Sequence, residues 1–135
     1  MFIKKFINKI FLYFTLLPFL ILWSCGDSGS KADKDLYCFG MLVTSSKIIK
    51  NTLGNYRGQA YSQMNQLQNH LFVNGQNLAR RAYDSKKSSA DVAKAAKPGN
   101  DWAKKHISKN PTLIMKKGSK QFKEVMRCLE RTQLK

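Results

Sequence analysis

Covalent, acid–base or metal chemistry in this sequence would have to come chiefly from three cysteines, two histidines and eight carboxylates. A catalytic zinc needs about three protein ligands in matched geometry. His70 and His106 stand apart, and neither a His-x-x-x-His nor a Cys-x-x-Cys spacing occurs. A serine or cysteine nucleophile needs a base, an orienting carboxylate and an oxyanion site. Pairing Cys38 or a serine with His70 leaves the orienting group unsupplied. Asp27, Asp33 and Asp35 fall in a polar stretch near the N-terminus, and beyond them only Asp84, Asp91, Asp101, Glu124 and Glu130 remain. The last four occupy places suited to helix caps and surface ion pairs. The glycines form neither Gly-x-Gly-x-x-Gly nor Gly-x-x-x-x-Gly-Lys, so no phosphate loop is present. These residue types predict no enzyme, no metal site and no cofactor.

Charge is the more informative property. The chain has 24 basic and 8 acidic side chains, a formal charge of +16. Lys86 to Lys123 holds eleven lysines against Asp91 and Asp101, or +9, whereas Cys25 to Ser85 carries only +3. Lys31, Lys34, Lys47 and Lys50 lie outside the dense region. Such an imbalance favours anionic partners, although a plainly solvated surface would look the same. Lysines rather than arginines point to loose attraction of anions, not bidentate recognition. Lys104, Lys105, Lys116 and Lys117 are the candidate anion-binding residues. Trp102 among them could stack on a sugar ring or base, or fill a core.

Compartment narrows the choice of anion. Met1 to Lys9 is basic and free of acids, and Ile10 to Trp23 is apolar. A membrane span needs ~20 apolar residues, a signal-peptide core only ~7–15. Pro18 also disfavours a permanent helix. The segment fits a removable signal better than an uncleaved anchor, which remains the alternative. Leu22-Trp23-Ser24-Cys25 resembles the lipobox of bacterial lipoproteins, with Trp23 a departure from the small residue usual at its place. The resemblance covers residues 1 to about 25. It implies cleavage between Ser24 and Cys25 and a diacylglycerol thioether on Cys25. Gly26, where Asp commonly retains a lipoprotein in the inner membrane, implies an outer-membrane address facing the periplasm. The expected organisation is a signal peptide at 1–24, a lipid-anchored flexible tether at 25–35 and a helical domain at 36–135. On that address nucleic acid is an unsuitable partner. Anionic lipid, lipopolysaccharide or an acidic protein fits better.

Setting Cys25 aside leaves Cys38 and Cys128, an even pair in an oxidising compartment. A bridge between them would close a loop of about 90 residues, for which chain entropy gives ~4–5 kcal/mol. Two buried free thiols are the alternative. The spacing suits a structural clamp, not a redox pair.

The elements that must carry these residues read as helices. Leu36 to Leu53 puts Cys38, Met41, Leu42, Ser45, Ile48, Ile49 and Leu53 on one face, with Asp35 as its N-cap. From Tyr56 a stripe of Ala60, Met64, Leu67, Leu71, Leu78 and Ala82 keeps its phase across Asn74-Gly75, favouring one long helix over two. Tyr61, Phe72, Ala79 and Tyr83 flank it and predict a wide buried face. Ser89 is set to cap a short helix that stops at Pro98-Gly99, and Asn100 or Asp101 to cap another ending before Pro111. Ser119 caps the last, with Phe122, Val125, Met126 and Leu129 facing inward. Glu124 and Glu130 are spaced to pair with Lys120, Lys123 or Arg127. The prediction is an all-α bundle of four to five helices, first and last joined by the disulfide. Two functions fit it: a membrane-anchored binding module for an anionic ligand or envelope protein, or an inhibitor or immunity-type lipoprotein that neutralises a toxin or lytic enzyme.

Overall fold

A computed structural model describes residues 30–85 and 88–134. The segment expected to be a signal peptide, Cys25, the first part of the expected tether, Lys86 and Lys87 lie outside the described residues. From Lys31 onward the chain is one all-α unit: α1 (Lys31–Thr52), α2 (Gly58–Tyr83), α3 (Ser89–His106) and α4 (Lys120–Arg131), with short 3-10 turns at Leu53–Asn55 and Pro111–Met115. No described helix is long and apolar enough to cross a membrane.

The first helix is the axis of the bundle. α2, α3 and α4 each pack on it, and burial therefore runs most of the way round: Asp35, Leu36, Cys38, Gly40, Met41, Leu42, Ser45, Ser46 and Ile49 are all buried. A single apolar stripe was the expectation, but a helix enclosed by three neighbours buries several stripes. The start is also earlier than expected. Residues 31–35 of the anticipated tether are helical, with Asp33 in the first turn, where a carboxylate suits the positive end of the helix dipole. Asp35 is not an N-cap; it lies inside α1 at 1% exposure.

Neighbouring contacts give the directions. Ser46 bonds to Gln68 and Asp35 to Arg81, so α2 runs antiparallel to α1. Leu36 clusters with Val92, Gly40 abuts Ala96 and Thr44 bonds to Asn100, a constant register that makes α3 parallel to α1. Antiparallel α4 is fastened by the Cys38–Cys128 disulfide, Cα atoms 5.2 Å apart, with both cysteines fully buried.

The continuous helix predicted across Asn74-Gly75 is observed. Gly75 also has a reason: a Cβ there would come within 2.8 Å of Val43 and 3.4 Å of Leu42 on α1. The wide buried face on α2 is not observed. Met64, Leu71, Gly75, Leu78, Ala79 and Ala82 are buried, while Tyr61, Phe72 and Tyr83 are exposed.

Between Ser89 and His106 one helix replaces the two expected, with Pro98 inside it. Pro98 lies on the exposed side, where the carbonyl it leaves without a donor can meet water. Gly99 is buried against the backbone of α1, so tightly that a Cβ would collide with the Tyr37 carbonyl. Gly40 stands in the same relation to the Ala96 carbonyl. These reciprocal glycines let two helix backbones touch, and the packing overrides the local stop signal. The N-cap is Ser88, one residue before Ser89, its hydroxyl accepting from the Asp91 N–H at 3.2 Å. Ser119 caps α4 as expected, accepting from the Phe122 N–H at 2.9 Å. On α4, Val125 and Cys128 are the buried positions, and Met126 faces out.

Candidate functional site

The polar groups form three separate constellations. At the start of α1, Asp35 receives a fork from Arg81 of α2, Nε to Oδ2 at 2.8 Å and Nη2 to Oδ1 at 2.9 Å. Arg131 of α4 reaches the same Oδ1 from Nε at 2.9 Å. Arg81 also donates to the carbonyls of Leu134 and Arg131, and Arg131 to that of Lys31. Three helix ends and the C-terminal segment are tied through one buried carboxylate. With every oxygen of Asp35 engaged by the two arginines, this is a structural knot, not an acid–base group.

Next to the disulfide, Tyr37 donates its hydroxyl proton to Glu124 Oε1 at 3.0 Å, and Arg127 grips the same carboxylate at 2.6 and 3.2 Å. The Arg127 guanidinium stands 5.6 Å from the Tyr37 ring centroid. Burial, and then the charge of Glu124, push the Tyr37 hydroxyl up to about 12. The hydrogen bond from Arg127 holds Glu124 below the usual carboxylate range. The Glu124–Arg127 pair is one the sequence spacing allowed.

The third lies along the side of α1 away from α4. Phe39, Gly40, Val43, Thr44, Lys47, Ile48 and Asn51 line a groove of about 400 Å³ whose far wall is Asn100 and Lys104 of α3. That volume falls within the ~300–1,000 Å³ typical of small-ligand clefts. Gly40 lowers the floor, since a Cβ there would press on Asn100 Oδ1 at 2.9 Å as well as on Ala96. Thr44 donates to Asn100 Oδ1 at 2.7 Å, which fixes the carboxamide and leaves its NH2 as a donor. No carboxylate lines the groove, and among the described residues neither Lys47 nor Lys104 has an acidic partner within salt-bridge distance.

The four candidate lysines are thus divided. Lys104 and Lys105 are neighbours on a helix, about 100° apart around its axis. Lys104 enters the groove with Lys47, a residue outside the dense basic stretch. Lys105 and Lys120 both act on His106, whose imidazole is held below its ordinary value first by burial and then by these two charges. Lys116 and Lys117 are exposed in the turn before α4. Trp102 is partly buried against the core, its ring 4.8 Å from that of His106. His70 is on the surface, bonded to Asn74 on the same helix. Among the described residues no group of three or more His, Cys, Asp or Glu is placed to hold a metal ion.

No family model, curated protein or solved structure matches this chain. The reading of function therefore rests on the residues themselves.

Sequence reasoning missed Arg81 and Arg131, because nothing local marks an arginine as a partner for a carboxylate far away in the chain. It also missed Lys47 as a companion of Lys104. The constant register between α1 and α3 brings them together, and that register depends on Gly40, which the spacing alone does not mark, and on Gly99, which reads as part of a stop signal.

Proposed function

We propose that this chain is a lipid-anchored bacterial envelope protein whose helical body serves as a small binding module for an anionic ligand or an acidic surface of a neighbouring protein. The observation that carries the reading is the disulfide. Cys38 and Cys128 take each other, so of the three cysteines only Cys25 is left, the one that follows Leu22-Trp23-Ser24. Structural disulfides persist best in oxidising compartments, which supports export. Cut before Cys25, the protein keeps a formal charge of +13, suited to anionic partners on the periplasmic side of the outer membrane.

Cells fed labelled palmitate test the anchor. The wild-type chain takes up label and fractionates with membranes, and Cys25→Ala loses both properties while retaining the Cys38–Cys128 bridge. Equal labelling of the variant would overturn the reading.

A further inference from the structure

The groove has a polarity along its length as well as an opening. The side of α1 that carries Cys38 is closed by α4. Lys47 stands nine residues further on, about two and a half turns at 3.6 residues per turn, and so faces the opposite way. There α2 and α3 flank α1, and among the described residues no fourth helix packs on that side. Phe39 and Val43 form one end of the exposed furrow. Lys47, Lys104 and Asn51 form the other, with Ile48 beneath. The donors at that end, two ammonium groups and two carboxamides, meet no acid within the groove, so an anion is the complementary charge. From Phe39 to Lys47 the helix advances ~12 Å, about the length of a ten-carbon chain.

We propose that this groove binds an amphiphile with one anionic head group, carboxylate or phosphate, and a single hydrocarbon tail. The head sits between Lys47 and Lys104 with the Asn100 NH2 as a further donor. The tail lies over Ile48 and Val43 towards Phe39. Burial of the tail supplies the attraction, which grows with each CH2 removed from water. The lysines select the anion and fix its direction. This deepens the binding-module reading by naming the ligand class and the place, and it is independent of the lipid on Cys25: palmitate labelling can succeed where this fails, or the reverse.

The test is photolabelling of the full chain in neutral phosphatidylcholine vesicles. Dodecanoate with a diazirine near its tail end is the probe, and the corresponding dodecanol is its uncharged counterpart. Dodecanoate labels the peptide that contains Phe39 and Val43, and dodecanol, which keeps the tail but lacks the charge, labels it far more weakly. Lys47→Gln and Lys104→Gln each lower the label about fivefold and act together in the double variant, in keeping with ~1 kcal/mol for a lysine near an anionic surface. Both side chains are exposed, so the variants keep the wild-type circular dichroism and the disulfide. A photoreactive lysophosphatidylglycerol, which has one acyl chain, in the same vesicles names the source. Label from dodecanoate alone points to a free fatty acid, and label from both points to a membrane lipid; either supports the proposal. Label centred on the Lys116–Lys117 turn, equal labelling by dodecanol, or full labelling of the double variant would overturn it. So would a groove labelled by a photoreactive acidic peptide and not by dodecanoate.

Discussion

The side chains that do most in this protein are polar groups inside an apolar bundle. Asp35 is the clearest, because a buried carboxylate survives only when its charge is matched and its oxygens are bonded. Arg81 and Arg131 do both. Its sequence neighbourhood of Lys, Asp and Gly looks like a solvated linker, and the two arginines that change its meaning are 46 and 96 residues away. That is why Asp35 was not legible as a core residue. Tyr37 offers a measurable consequence of the same kind of burial. Its folded value is raised from the ordinary 10 to about 12. Between those values the folded chain holds a proton that the unfolded chain has released, so this contribution to stability is whole below pH 10 and is lost as the pH rises towards 12. Absorbance titration should find one tyrosinate forming near pH 12, and Tyr37→Phe should remove both that step and its share of the alkaline loss of stability. An unchanged titration curve in the variant would show that another tyrosine is responsible.

Among the elements, α3 shows how packing overrules a local signal. Pro98-Gly99 is a sound stop signal for an isolated helix, and two helices were expected there. The contact with α1 makes Gly99 a requirement of the interface instead. The two residues should therefore respond in opposite directions. Gly99→Ala gains up to ~1 kcal/mol of helix propensity but drives a methyl group into the Tyr37 carbonyl. The overpacking cost of ~1–3 kcal/mol or more should prevail, giving net destabilisation in urea unfolding. Pro98→Ala, on the exposed side, restores a helical N–H and should stabilise by about 1 kcal/mol, less than the ~3 kcal/mol helix-interior cost of proline because α3 already tolerates the ring. A Gly99→Ala variant as stable as wild type would mean that the two backbones are not in contact. Other element features were legible. The α2 stripe held its phase through Asn74-Gly75, Ser119 was recognisable as a cap, and Glu124 was placed to meet Arg127. Each of these is set by residues a few places apart. The groove was not legible, since its two walls come from helices related only by the register of Gly40 and Gly99.

At the scale of the whole molecule, the all-α class and the first-to-last disulfide were both open to inference. Apolar spacing is dense throughout the chain, and two cysteines near the ends of one small domain have few other partners. What spacing could not convey was which helix lies at the centre. A stripe shows that a helix has an inward side; α1 has more than one. Its enclosure depends on α4, the last of the described helices, which contributes Val125 and Cys128 as buried positions. So short a helix is held by its bridge together with the Arg131–Asp35 and Tyr37–Glu124 contacts. Reduction, or Cys128→Ser, should lower equilibrium stability by ~4 kcal/mol, the entropy of a loop whose ends are 90 residues apart. A loss below ~1 kcal/mol in urea would show that α4 stays docked without it.

The same bridge sets a clock. Contacts between α1 and α4 span nearly the full length of the folded body, and bringing such distant segments together slows folding because the loop must close before any contact rewards it. An oxidised chain unfolded in denaturant has never lost that closure and should return faster. A reduced chain must find α4 by diffusion, and its refolding should lag by the part of the closure entropy already spent at the transition state. Stopped-flow refolding of the two forms under matched conditions would read that difference as a rate.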